Sequence, residues 1–142
     1  MFLVEEIADA EGTFVQIFDT KFITQTKFIT PNDFNFQVGV SVDTDGRDYV
    51  PHVHTNIERI IHGTAELIFV LAGQMNITFL NTAGEPIRDA SLTAHMGFLQ
   101  TRGGHAISTA PETKFFEVKQ GPYAGREADK FVVSMPPRSS SL

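Results

Sequence analysis

The chain has no cysteine among its 142 residues, which excludes disulfides, thiolate metal ligands, a cysteine nucleophile and every zinc-finger arrangement. Tryptophan is absent as well. No stretch approaches the roughly 20 consecutive apolar residues of a membrane-spanning helix. Met1-Phe2-Leu3 runs at once into Glu5 and Glu6, without the basic opening of a signal peptide. A cytoplasmic location is therefore the expectation, with no membrane partner. Basic residues are scarce, 11 Lys and Arg against 17 Asp and Glu for a net charge of -6. That balance disfavours an electrostatic grip on nucleic acid or anionic lipid. The expected partner is a small molecule or a second copy of the chain. Helical periodicity is also missing, and the only helical candidates are short pieces at residues 1–8 and 125–130.

What the chain does have is 13 phenylalanines and short runs of β-branched residues broken by Gly, Asn, Asp and Pro, a pattern that predicts an all-β fold. Its length suits one domain with its own core, over residues 1–135, followed by a flexible polar tail at 136–142. Strands are expected at 13–18, 21–24, 26–29, 35–42, 49–54, 56–62, 66–71, 75–80, 86–93, 97–101, 105–109 and 114–119. Turns are expected at Pro31-Asn32-Asp33, Asp43-Thr44-Asp45-Gly46, Ala72-Gly73-Gln74 and Asn81-Thr82-Ala83-Gly84. Ile68, Val70, Met75, Ile77, Phe79, Phe98 and Phe115 are read as core or pocket wall, and His95 as a surface residue in a turn. Segment 13–18 is a candidate for adding to a partner's sheet in a homodimer.

Chemistry concentrates in Pro51-His52-Val53-His54, Glu66 and Gly103-Gly104-His105. On an extended segment, side chains two apart share a face, so His52 and His54 are placed to share one ligand. Imidazole nitrogen and carboxylate oxygen are ordinary donors for Fe, Mn, Zn or Ni, and Glu66 and His105 would complete a mixed site for a divalent metal. The four residues do not choose among those metals. Glu66 opens an otherwise apolar strand, where a charge is costly unless paired or coordinated.

These residues resemble the two motifs of the cupin superfamily, small double-sheet β-barrels that carry a metal inside. Gly46, His52, His54, Glu66 and Gly73 echo the first motif, and Gly97 and His105 match the ends of the second. The resemblance covers residues 34–119, which would be the metal-site core behind an N-terminal extension at 1–33. It implies a double-stranded β-helix, or jelly-roll barrel. Eleven residues separate His54 from Glu66, where the family has three or four, and Glu58 stands at the shorter spacing. Glu66 is preferred as the ligand because the strand and turn that follow it, through Gly73, reproduce those of the family. Gly103-Gly104 replaces the family's Pro-x-Gly turn, and Phe98 replaces its Asp. The stretches 58–66 and 117–123 are similar to those of small bacterial single-domain cupins.

The resemblance implies a metal-dependent enzyme acting on a small polar molecule, of isomerase, epimerase or dioxygenase type. Two alternatives stand beside it: a non-catalytic cupin that binds a metal or a small ligand such as a sugar, and a metal-free cupin in which His and Tyr act as acid and base. Four ligands would leave roughly two of six octahedral positions open for substrate or water. Glu58, His62 and Tyr123 are candidate catalytic residues. Arg59, Glu117 and Lys119 are candidates for substrate contact or surface.

Overall fold

The computed structural model describes residues 1–135, so the tail expected at 136–142 lies outside the described residues. Ten strands run in chain order: β1 (Leu3–Asp9), β2 (Gly12–Asp19), β3 (Lys27–Phe28), β4 (Gly39–Val40), β5 (Glu66–Ala72), β6 (Gln74–Leu80), β7 (Pro86–Thr93), β8 (Met96–Gln100), β9 (Gly104–Thr109) and β10 (Lys114–Lys119). One 3-10 turn, Thr20–Phe22, follows β2, and one short helix, α1 (Arg126–Asp129), follows β10. Every pairing is antiparallel. A five-stranded sheet is ordered β1-β2-β8-β5-β10, a three-stranded sheet β7-β6-β9, and β3 pairs with β4 alone. The all-β expectation holds. The two larger sheets share no strand, so they are not joined into a closed barrel among the described residues.

The core follows from strand alternation. Ile68 and Val70 of β5, Phe98 of β8, and Val15 and Ile17 of β2 share one buried cluster with Met75, Ile77, Phe79 and Leu92 of the three-stranded sheet. Phe79 and Phe98 meet edge to face, centroids 5.1 Å apart, an arrangement that aligns ring edge and ring face favourably. Six of the seven apolar residues expected inside are buried. Phe115 is not: it is 42% exposed on the outermost strand, where the narrower sheet opposite gives little cover. On the outer face of the wide sheet, Phe2, Phe18, Phe69 and Phe116 form a row of neighbouring rings with successive centroids 5.7, 6.3 and 5.5 Å apart.

Several local expectations need correction. Residues 1–8 do not form a helix; most of them form β1, paired with β2 through two register shifts. Half of the extended piece expected at 21–24, Lys21 and Phe22, falls in the 3-10 turn, where Asp19 accepts from the Lys21 amide at 2.9 Å. Only Gly39–Val40 of the long strand expected at 35–42 is paired. Strands at 49–54 and 56–62 are absent, and residues 41–64 hold no regular structure beyond a turn at Thr44-Asp45. Their apolar residues explain this. Val50 and Ile60 have one parity and Val53, Ile57 and Ile61 the other, so a strand would split them between its faces, and Pro51 removes a backbone donor. Finally, β2 is paired on both sides, with β1 and β8, so segment 13–18 has no free edge to offer a partner.

Candidate functional site

Glu66 and His105 meet at one end of the sandwich, from opposite sheets. Glu66 is the first residue of β5, opposite Gln100 of β8 on one side and Lys119 of β10 on the other. Residues in register across a sheet point to the same face, so the carboxylate, the amide and the ammonium form one inward row. His105 enters from β9, where it pairs with Phe79. Its Nε2 lies 3.5 Å from Glu66 Oε2. The preceding turn holds it there: Gly103 has φ +77, and a Cβ at that position would collide with the Leu80 carbonyl oxygen. A side chain is therefore excluded on two counts, conformation and space.

Gln100 sets the orientation of the imidazole. Its Nε2 donates to the Gly104 carbonyl at 2.8 Å, which turns its Oε1 toward His105 Nδ1, also at 2.8 Å. An amide oxygen only accepts, so Nδ1 carries the proton and the Nε2 lone pair faces Glu66. Arg102 anchors the same turn from outside. It makes a two-pronged contact with Asp9, both bonds 2.6 Å, donates to the Gly12 carbonyl at 2.6 Å, and stacks over Phe14.

Burial dominates the electrostatics of the pair. It pushes Glu66 up to about 7, helped by a hydrogen bond and the charge of Glu117 and partly offset by Lys119 and Lys130. Burial also lowers His105, with Glu117 opposing and Lys130 and Lys119 adding to the fall. Both groups are thus driven toward their neutral forms, and one proton on Glu66 can face the free Nε2 lone pair.

The pair lines a cavity of about 400 Å³ together with Gln100, Lys119, Lys130 and the apolar Leu80 and Phe131. Lys119 stands 3.4 Å from Asp129 and 3.8 Å from Glu117. Of the expected metal ligands, the structure brings together Glu66 and His105. His52 and His54 lie exposed on the 41–64 segment, their rings edge to face at 5.0 Å, and His52 Nδ1 contacts the Val50 carbonyl at 3.0 Å. Among the described residues, no group of three or more His, Asp or Glu side chains is gathered closely enough to hold a metal ion. Glu58 and Arg59 are exposed on the same segment. His62 lines a second hollow of about 290 Å³ with Arg102 and Gln120. Tyr123 is 65% exposed beneath the Lys119 ammonium, 5.3 Å from its ring centroid. His95 is exposed in the turn between β7 and β8, as expected.

Sequence reasoning missed Gln100, Arg102 and Lys130. Gln100 did leave a signal, since it shares strand parity with buried Phe98, and a buried amide implies partners. Glu66 and His105 nonetheless suit a metal: two donors about 2.1 Å from one ion stand roughly 3.0 to 3.4 Å apart in octahedral or tetrahedral geometry, close to the separation observed. No described helix is long and apolar enough to cross a membrane. No family model, curated protein or solved structure matches the chain.

Proposed function

We propose that the chain is a metal-binding cupin, an enzyme of isomerase, epimerase or dioxygenase type acting on a small polar molecule in the Glu66–His105 cavity. The observation that carries this reading is the donor pair itself, one nitrogen and one oxygen from opposed sheets at 3.5 Å, with the far ring nitrogen tied to Gln100. A metal-binding imidazole ordinarily has its second nitrogen fixed in this way. Glu66 and His105 would hold the ion, and His52 and His54 would complete the set if the 41–64 segment lay against the cavity. When bound, the ion would polarise a carbonyl or acidify a water. The rest falls to the protein: Gln100 keeps Nε2 deprotonated toward the cavity, Lys119 supplies a cation opposite Glu66, and Leu80 and Phe131 give the substrate an apolar wall. The same geometry serves non-catalytic binding of a metal or sugar, which turnover assays would separate from catalysis.

A second reading is favoured by the contact of the Glu66 carboxyl group with the His105 Nε2 lone pair. It is metal-free transfer of a proton between the carboxyl group and Nε2, with a substrate proton as the third party. Metal analysis of protein purified without chelators or a histidine tag decides between them. Stoichiometric metal, lost in both His52→Ala and Glu66→Ala, supports the metal reading. Metal retained in Glu66→Ala and lost in Glu58→Ala moves the carboxylate to Glu58. No uptake even after soaking removes the metal reading. Homodimer formation belongs to the same proposal, through the outer edges of β1, β10, β7 or β9, and a monomer in sedimentation velocity at micromolar concentration would refute it.

A further inference from the structure

Within the cavity the polar groups divide into those already satisfied and those that are not. Gln100 uses both ends of its amide, on Gly104 and His105. Lys119 is shared between Asp129 and Glu117. Lys130 lines the cavity, and among the described residues its ammonium enters no ion pair. It is carried there by the segment after α1, which folds back over the mouth of the site. That segment is seated on the β6–β7 turn: a Cβ at Gly84 would stand 2.9 Å from Val133 Cγ2, and Phe131 lies beside it. Asp129 fastens the same segment to Lys119. Two ammonium groups, Lys119 and Lys130, thus line the same cavity as the apolar Leu80, Phe131 and Val133.

We propose that the ligand of this cavity is a small monocarboxylate with a short apolar tail, its carboxylate held by Lys130 and its tail against Leu80, Phe131 and Val133. The inference rests on the cavity being the functional site. The volume of about 400 Å³ lies at the small end of ligand pockets, which suits a molecule of this size. An ammonium that enters no ion pair among the described residues gains most from an anion, and a charge-assisted bond is the stronger kind. A phosphate fits less well, for two reasons. Among the described residues no arginine lines the cavity to clamp its oxygens, and a second negative charge would meet Asp129. The apolar wall disfavours a fully hydroxylated sugar, whose hydroxyls would lose water there without replacement.

The test uses the full chain and three probes, hexanoate, hexanamide and butyl phosphate, with binding read from the His105 and Ala106 signals by heteronuclear NMR. Hexanoate is expected to shift those signals and to bind at least about tenfold more tightly than either competitor. Lys130→Gln, an exposed substitution, is expected to weaken hexanoate about tenfold and leave hexanamide unchanged. The proposal is overturned if hexanamide matches hexanoate, if butyl phosphate exceeds it, if Lys130→Gln has no effect, or if no probe moves the signals. A parallel titration with Mn²⁺, read as broadening of the His105 signals, keeps the two ideas apart. Broadening without hexanoate binding sinks this proposal alone, whereas hexanoate binding without broadening sustains it and counts against the metal.

Discussion

Glu66→Gln is expected to stabilise the metal-free protein in mildly alkaline solution and to leave its stability unchanged in acid. The native carboxyl group titrates at about 7, raised from its ordinary 4.5 first by burial and then by Glu117. Between those two values the native state keeps a proton that the unfolded chain has released, so stability falls as pH rises through this window and levels off above it. The full shift corresponds to about 3 kcal/mol at 1.36 kcal/mol per pKa unit. The side chain is 16% exposed and borders an open cavity, so solvent screening reduces the expected effect to about 1 to 2 kcal/mol. Glutamine keeps the shape and never ionises, and its amide can donate to the His105 Nε2 lone pair. Urea denaturation of both proteins in chelator, from about pH 4 to about pH 8, reads the effect as a gap that opens with pH in favour of the variant. A gap constant across that range, or a wild type more stable at the alkaline end, would refute the placement of Glu66 in a carboxyl-burying site. Saturating metal should reverse the order if Glu66 is a ligand, because the ion binds only the carboxylate.

Gln100→Leu removes the acceptor that fixes His105 Nδ1 and the amide that donates to the Gly104 carbonyl, at an expected cost of about 1 to 3 kcal/mol. Nitrogen chemical shifts of the imidazole should then show a mixture of tautomers where the wild type shows one. Arg102→Ala should lower the melting temperature. The guanidinium holds Asp9 below the usual carboxylate range, so the wild-type contribution is complete above pH of about 4 and is lost as pH falls through the depressed value. The acid limb of the variant's stability curve should be correspondingly shallower, and unchanged acid limbs would refute the pairing. Phe79→Ala, which empties a fully buried ring site against Phe98, should cost about 3 to 5 kcal/mol in denaturant titration.

Strands β5, β6, β7 and β10 were legible because each runs between strong turn signals. In β5 the residues between Glu66 and Ala72 are all apolar, which carries the strand whichever face is buried. Residues 49–62 offered β-branched residues without a common parity, and composition alone misled. Residues 1–8 show the opposite error, since Leu3, Val4 and Ile7 have no persuasive alternation by themselves and become a strand because β2 lies one turn away. At the site, Glu66 was legible as a charge heading an apolar strand and His105 as a side chain aimed by two glycines. Their mutual contact was not, because β5 and β9 belong to different sheets and no local pattern reports which sheets face each other. Lys130 was illegible for a similar reason: only the fold-back of the segment after α1 brings it to the cavity.

The 41–64 segment would give the proposed metal binding a calorimetric signature. Val50, Val53, Ile57, Ile60 and Ile61 are 40–92% exposed along it. If the segment lays His52 and His54 against Glu66 and His105, ion uptake would also withdraw part of that apolar surface from water. The apparent affinity would then be set as much by the ordering of some two dozen residues as by four donor atoms, and would fall short of the intrinsic affinity of the assembled site. The enthalpy of uptake should steepen with temperature, giving a negative heat-capacity change that ion coordination at an assembled site would not produce. A protein in which the histidines merely decorate the surface would take up the ion, if at all, with no such curvature.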